Sequence, residues 1–486
     1  MARPLPTRTK IVATLGPASW DSETIAALAG AGADAFRINF SHGTGEEHRA
    51  LIRRVHAVAA ELGQPLTILA DLQGPRIRLG AFADGEPILL RTEDELTLVT
   101  DVEHPGVPGR VGVSYARLAE EVRPGEHVLL DDGNIELEVI DVAPGEVRTR
   151  VLVGGVLRQH KGVNLPGTEV SAPSLGKKDL ADLALALEEG VDFVALSFVR
   201  SADEIERLRA RIAESGRGAE VEVIAKIERR EGVERIDEII EAADGIMVAR
   251  GDMGVELGAD AVPGIQKRII RLCIEAAKPV ITATQMLESM ISTPRPTRAE
   301  ASDVANAIHD GTSALMLSAE TAAGRYPVEV VAMMDRIARR TEDELFGDGS
   351  HPARRMLEER RGARSPSIAA ATVAAAARAA MDVGATVLAT FSETGRTARL
   401  LARERLPMRL ITFTRHESVR RRLTLHWGVT PLALDAGELT GLHAAAEREL
   451  LRLGLGEPGD RVVFIAGTMH VSGATNTMLI RELGAP

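Results

Sequence analysis

Lys226 and Glu228 stand two residues apart in "EVIAKIE", residues 222–228. In a β-strand that spacing sends both side chains out on one face, where a strand buried on both sides would carry Val or Leu. Polar residues recur at the ends of the other short apolar runs. Arg37, Asn39 and Ser41 share a face in "RINFSH"; Asp71 closes "LTILADL"; Ser197 lies in "VDFVALSFV". Gly251 and Asp252 follow "GIMVAR", Thr284 follows "PVITA", and Ser318 and Glu320 close "SALMLSAE". Charged groups are rarely buried without partners, so this set implies a polar ligand or a metal among them. Glu228 and Asp252 suit a hard divalent ion such as Mg²⁺, with Mn²⁺ as a substitute, which keeps positions for substrate oxygens. "ARGDMGVEL" adds backbone N–H groups where a glycine-containing turn opens a helix, a seat for a carboxylate or phosphate. A metal, an ammonium, Arg37 and an anion-receiving turn are the equipment of phosphoryl transfer, in which catalysis is mostly positioning and charge neutralisation. Other readings stay open on these residues. Lys226 and Glu228 can form a plain buried ion pair. A pyruvate-handling barrel lyase or aldolase would use Lys226 as a Schiff-base amine, or the two carboxylates for metal-assisted enolate chemistry. A non-catalytic metabolite sensor would need none of them.

The elements that carry these residues alternate. Eight apolar runs precede residue 321: "KIVATLG", "DAFRINF", "LTILADL", "VDFVALSFV", "EVIAKIE", "GIMVARG", "PVITATQ" and "SALMLSAE". Segments with helical spacing of apolar residues follow them, such as "GEEHRALIRRVHAVAAEL" and "VEVVAMMDRIARR". Eight βα units in series predict a (β/α)8 TIM barrel, whose chemistry sits at the carboxyl ends of the strands. The series is broken once, after the third strand, by residues that lack helical periodicity and carry turns such as "ADGEP", "HPGVPG" and "DDGN". The predicted α/β organisation is a barrel over 1–73 and 171–343, an inserted β-rich domain over 74–170 forming a small β-barrel lid, and a C-terminal α/β domain over 355–486.

Composition narrows the partners. A net charge of −12 with 3% aromatic residues argues against a nucleic-acid surface. No apolar stretch of about 18 residues occurs, so no membrane partner is expected and a cytoplasmic protein is predicted. The single Cys273, in "RIIRLCIEAA", excludes an internal disulfide and reads as a small buried hydrophobe. Only seven of the 58 basic residues are lysine. Lys226 therefore marks a place that needs a compact ammonium and not a planar fork, and Lys161 in "QHKGVNLPG" invites the same inference. Lys267 and Lys278 read as solvated positions on or beside an outer helix. The run Arg420, Arg421, Arg422 reads as a solvated helix face or a subunit contact.

The ordered motifs "TKIVATLGPAS", "RINFSHGT", "IAKIE", "ARGDMGVEL", "ATQMLESMISTPRPTRAEASDVANAIHDG" and "MLSAET" resemble the pyruvate kinase family from residue 8 to about 340. "KGVNLPG" extends the resemblance to the insert, and "SETGRTA" and "GATNT" carry it more loosely into the third domain. It implies transfer of the phosphoryl group of phosphoenolpyruvate to ADP, giving pyruvate and ATP, with Mg²⁺ and a homotetramer. By motif, Lys226 and Arg37 would hold the phosphoryl group in flight, and Glu228 and Asp252 the metal. The substrate carboxylate would lie on Gly251, Asp252 and Thr284, with Thr284 and Ser318 on the proton route to the enolate. Asn39, His42, Arg78 and Lys161 would face the nucleotide, Lys161 arriving as the insert closes. Asn39, Ser41, Asp71 and the Leu72 carbonyl would form the family's monovalent-cation pocket. Arg76 stands where many members carry an acidic residue, so it implies a built-in cation and a dispensable K⁺, and Leu72, Gln73 and Leu79 resemble the potassium-independent branch. Glu47 replaces an aromatic that often flanks the nucleotide. In the third domain Ser392, Thr394, Gly395, Arg396 and Thr397 would cradle an effector phosphate. Glu393 disfavours a bisphosphate and "GTMHVSGATN" lacks the Trp and Arg of bisphosphate-activated members, so AMP or a sugar monophosphate is the expected effector.

Overall fold

The structure is a computed structural model that describes residues 7–347, 367–434, 439–467 and 475–485. All eight expected strands form: Lys10–Leu15, Ala35–Asn39, Thr67–Asp71, Phe193–Leu196, Glu222–Ile227, Gly245–Ala249, Val280–Ala283 and Ala314–Leu317. They pair in parallel in this order, and the last pairs with the first to close a barrel. Period-two alternation then sorts their side chains. Val12, Ala35, Leu69, Phe193, Ala195, Ile224, Met247, Ile281 and Met316 fill the barrel interior. Two residues beyond Ala35, Leu69, Ala195 and Ile224 come Arg37, Asp71, Ser197 and Lys226, so the polar set stands on the same inward face, directly above an apolar plug. The outward face packs on the surrounding helices in a second core that includes Ile11, Ile52, Val194, Val223, Ile270 and Val331. Removing a large member of the plug, as in Phe193→Ala, costs about 3–5 kcal/mol and would loosen the floor of the site. Helix starts follow local chemistry: Thr44 with Glu47, and Thr297 with Glu300, form reciprocal capping boxes.

The chain leaves the barrel after Asp71 and returns at the helix Lys177–Glu189. Between them lies a β-rich unit around its own core, which includes Leu96, Leu98, Val111, Leu137, Val147 and Leu165. Its named strands form a six-stranded sheet and a two-stranded ribbon. In the ribbon Gly155–Leu157 pairs with Ile88–Leu90, and residues 77–80 join the two edges of the larger sheet: the Val163 and Leu79 amides bond the Ile77 and Lys161 carbonyls on one side, and the Gly80 and Ser114 amides bond the Gly112 and Arg78 carbonyls on the other, each at 2.9 Å.

Past residue 367 a five-stranded sheet runs in the order Val429–Ala433, Arg409–Thr414, Val387–Phe391, Arg461–Gly467, Thr475–Glu482, the last strand antiparallel. The strand that comes first in sequence, Val387–Phe391, is central, so the loop after it lies where strand order reverses, a usual ligand crevice. The expected boundary at 355 and most of "GTMHVSGATN" fall outside the described residues.

This unit grips the amino-terminal end of the barrel, and the arginine run provides the grip. Arg421 pairs with Asp192 at 2.8 Å. Arg422 and Arg399 share Glu222, at 3.2 and 2.9 Å. Thr424 reaches the Asp34 carbonyl at 3.3 Å, and Leu425 plugs the barrel floor. The solvated-face reading is thus corrected for Arg421 and Arg422: their partners lie about two hundred residues away. Arg420 pairs within its own helix, with Glu417 at 3.2 Å. Lys278 is corrected too. Its ammonium donates to the Ile240, Glu241 and Ala243 carbonyls at 2.5, 2.7 and 2.6 Å, closing a helix carboxyl end. Lys267 is exposed and paired with Asp310, and Cys273 is fully buried.

Candidate active site

Lys226 is the hub of the polar set. Its ammonium donates to Ser197 Oγ at 2.7 Å and lies 3.1 Å from Glu228 Oε1 and 3.2 Å from Asp71 Oδ1. The contact with Asp71 Oδ1 has ion-pair distance without hydrogen-bond alignment. Asp71 Oδ2 receives Arg37 Nε at 2.7 Å, and a second Arg37 nitrogen lies at 2.7 Å. Burial pushes the Asp71 carboxyl up, but Lys226 and Arg37 outweigh it and hold the group below its ordinary range. Burial likewise depresses Lys226, and the charges of Asp71 and Glu228 overcome it, so the amine is held protonated.

Glu228 lies just past the strand, and its Oε2 accepts the Phe198 amide at 2.6 Å. That bond requires the left-handed turn at Phe198, φ 56°. Burial raises the Glu228 carboxyl and the nearby charge of Asp252 raises it further, against the opposing pull of Lys226. Two nearby oxygen-donor carboxylates, the charge of one raising the other, fit a hard divalent cation. Among the described residues no three His, Cys, Asp or Glu side chains converge on a self-contained metal site. Two carboxylates suffice for an ion that keeps water and substrate oxygens in its shell.

Asp252 opens the helix Arg250–Leu257 beside Gly251. The Gly251 amide donates to Thr284 Oγ1 at 2.8 Å, and Thr284 Oγ1 donates to the Ala283 carbonyl at 2.6 Å. Thr284 and Gln285 have φ of 69° and 52°, and this left-handed pair ends the strand alternation and swings the Thr284 hydroxyl toward the helix start. Gly251, Asp252, Thr284, Ser318 and Glu320 line one cleft of about 890 Å³, which Arg76, Asp132 and Gly133 cover from the insert side. Glu320, read as a strand-end polar group, is buried and accepts the Ser318 and Leu287 amides at 2.7 and 3.3 Å, so it builds the loop.

Of the remaining candidates, Asn39 Oδ1 accepts the Ser41 amide at 3.1 Å, and the Leu72 carbonyl accepts Ser197 Oγ at 2.8 Å. His42 is held below its ordinary pKa, first by burial and then by Arg76, Arg78, Arg37 and Lys178. These four cations make an electropositive rim beside the cleft. Lys161 is on the insert, 2.6 Å from Asp131. The third-domain loop lies far along the chain: the Gly395 amide donates to Ser392 Oγ at 2.9 Å, Gly395 has φ 81°, and Thr397 meets Thr475 at 2.7 Å. Glu393 there pairs with Arg415 at 2.9 Å, and His416 Nε2 lies within hydrogen-bond distance of it at 2.5 Å. Arg396 is exposed and Thr394 with it. The Phe198 amide and the Asp71 bridge between Arg37 and Lys226 escaped sequence reading. The bridge had a signal in Asp71 itself, an acid at the end of a strand next to Arg37; the amide had none.

A family model described as "Pyruvate kinase, barrel domain" matches residues 6–331, and one described as "Pyruvate kinase, alpha/beta domain" matches residues 370–481. The chain belongs to the pyruvate kinase family. Pyruvate kinase 2 of Synechocystis sp. is 43% identical over 99% of this chain and 80% of its own length. Pyruvate kinase of Geobacillus stearothermophilus is 44% identical over 98% of this chain and 80% of its own. That of Mycobacterium intracellulare is 43% identical over 98% of both. Members of the family are phosphotransferases of glycolysis that require a divalent metal. The resemblance carried by "IAKIE" and "ARGDMGVEL" thus extends over both units, and the barrel they were expected to sit on is present.

Proposed function

We propose that this chain transfers the phosphoryl group of phosphoenolpyruvate to ADP, giving pyruvate and ATP. The observation that carries this is the Lys226 ammonium held between Asp71 and Glu228 at a strand's carboxyl end, with Asp252, whose charge acts on both Lys226 and Glu228, on the cleft that Thr284 also lines. Lys226 and Arg37 meet the phosphoryl oxygens, and Asp71 fixes both cations in place. Glu228 and Asp252 would hold Mg²⁺, or Mn²⁺ in its stead, which would supply further charge neutralisation for the phosphoryl group. The substrate carboxylate takes the Gly251 and Asp252 amides at the helix start. In doing so it displaces the Thr284 hydroxyl, which is freed to work with Ser318 in delivering the enolate proton. His42, Asn39, Arg78 and Lys161 hold the nucleotide phosphates, with Lys161 leaving Asp131 as the insert closes and excludes water. The aldolase reading needs a neutral amine, whereas two carboxylates flank Lys226 at 3.1 and 3.2 Å and favour its charged form.

Finer features follow as parts of the same reading. Arg76 supplies the cation that makes K⁺ dispensable, while Asn39, Ser41, Asp71 and the Leu72 carbonyl retain the outline of a monovalent site. Ser392, Thr394, Gly395, Arg396 and Thr397 take a single phosphate of AMP or a sugar monophosphate. The edge strand Thr475–Glu482 exposes Met478, Leu479 and Ile480, which suits contact with a second copy in a homotetramer. No helix of the described residues is long and apolar enough to cross a membrane, and we place the protein in the cytoplasm. A coupled assay of phosphoenolpyruvate, ADP and Mg²⁺, with and without K⁺, tests the reading. One ATP per pyruvate is expected. Pyruvate chemistry without ATP, or borohydride trapping of pyruvate on Lys226, would overturn it.

A further inference from the structure

The insert is joined to the barrel by two crossings, and a single buried carboxylate touches both. Asp179 Oδ1 accepts the amide of Gly74, on the outgoing strand, at 3.0 Å. Its Oδ2 accepts the amide of Gly176, where the chain returns, at 2.9 Å. Asp179 is 3% exposed, and its neighbour Lys178 pairs instead with Asp182, so the two amides and the helix start are what its charge meets. Gly74 has φ 68°, and a Cβ there would stand 2.9 Å from the Ser197 Cβ, so the outgoing strand is pressed against the residue that receives the Lys226 proton donor bond. On the return side Arg200, fixed by Glu204, donates to the Val170 carbonyl and, at 2.9 Å, to that of Ala172. Beyond these anchors the crossings belong to the insert: the Val163 amide bonds the Ile77 carbonyl at 2.9 Å, and Leu79 bonds Lys161 at 2.9 Å. Between the two sets of anchors lie 75–76 on the outgoing strand and 165–169 on the return, where the Gly167 amide meets barrel Glu256 at 3.4 Å and Thr168 Oγ1 donates to Glu126 of the insert at 3.0 Å.

We propose that Asp179 is a positioning residue for catalysis, a staple that locks both crossings together so that the insert turns as one body about the point where Lys226, Ser197 and Leu72 are linked. This rests on the reading that the insert closes over the nucleotide. Two charge-assisted bonds from one carboxylate make the two strands move in concert, and the pivot lies beside the catalytic ammonium. Closure therefore brings Lys161 in along one arc. With the staple cut, each crossing flexes separately, and the insert closes in poorly aligned states.

The test is Asp179→Asn, whose amide can accept one N–H but must turn a donor toward the other. Hinge changes move kcat and KM together. We expect KM for ADP to rise and kcat to fall, each by about tenfold, and pyruvate formed per ATP to rise above one as water enters. Phosphoenolpyruvate binding in the presence of Mn²⁺ and absence of nucleotide, read by calorimetry, stays within about twofold because its groups are all on the barrel. Arg200→Lys, which loses the planar fork on the return strand, should give the same signature and decides the matter where Asp179→Asn fails to fold. Loss of phosphoenolpyruvate affinity in parallel, or a fall in kcat with unchanged KM for ADP and a ratio of one, would overturn the staple. A wild-type protein that makes no ATP would overturn the proposed reaction instead.

Discussion

Lys226→Arg separates charge from shape. The ammonium sits among three oxygens, at 2.7 Å from Ser197 Oγ, 3.1 Å from Glu228 Oε1 and 3.2 Å from Asp71 Oδ1, in a site 7% exposed. The compact nitrogen donates to Ser197 and holds both carboxylates at ion-pair distance. A guanidinium keeps the positive charge, so neither carboxylate is left uncompensated, and the roughly 3–5 kcal/mol cost of breaking a buried pair is avoided. What it adds is bulk and planarity, an overpacking cost of about 1–3 kcal/mol. The variant should therefore fold. Its donors, however, no longer point where the phosphoryl charge develops, and losing one preorganised donor costs about 10²–10³ in turnover, or about 2.7–4 kcal/mol. The assay is pyruvate release at saturating substrates beside a thermal melt, with exposed Lys267→Arg as a control. We expect kcat to drop at least about 10²-fold with a smaller change in KM for phosphoenolpyruvate. Turnover within about threefold of wild type would refute the role given to the ammonium.

Three further outcomes follow from other contacts. Arg421→Ala leaves Asp192, fully buried, without its cation, and should lower the unfolding free energy by about 3–5 kcal/mol; a denaturation midpoint equal to wild type would show the domain clamp to be inert. Burial, with Arg399, Arg422, Lys10 and Arg405 around it, depresses His426 well below its ordinary value. The unfolded chain then binds a proton that the native chain does not, so stability is full above about pH 6.5 and falls as pH drops, by at most about 1.4 kcal/mol per unit. His426→Gln should flatten that slope by one proton in urea titrations between pH 5 and 7, and an unchanged slope would count against it. Activity assayed in Tris or sodium salts should change little on adding K⁺, and Arg76→Glu should create a K⁺ requirement; activation of the unaltered protein by about 10²-fold would remove Arg76 from its role.

Local periodicity made the barrel legible. Runs such as "KIVATLG" and "DAFRINF" are apolar on both faces, as strands between a plug and a ring of helices must be. Lys226 stood out because so little else in the chain is lysine, and Glu228 because a buried strand end has no use for an unpaired acid. Where the reading went astray, the partner was distant in sequence. Arg421 and Arg422 look like a wet helix face until Asp192 and Glu222 come into contact with them, and Lys278 looks solvated until three carbonyls of another helix surround it. The backbone reversals at Phe198 and Thr284 left no trace, since neither residue type favours a positive φ. Nor could turn punctuation foretell that Gly155–Leu157 would pair with Ile88–Leu90. Asp179 is hidden for the same reason: in sequence it is one acid at a helix start, and only the fold brings Gly74 to its free oxygen.

The most direct test of the central claim is the anomalous signal of Mn²⁺ in crystals grown with oxalate, which mimics the enolate of pyruvate. A peak bound by the carboxylates of Glu228 and Asp252, with the Lys226 ammonium facing the oxalate beside it, is the expected result. A peak elsewhere in the barrel, with those two carboxylates turned away from each other, would contradict it.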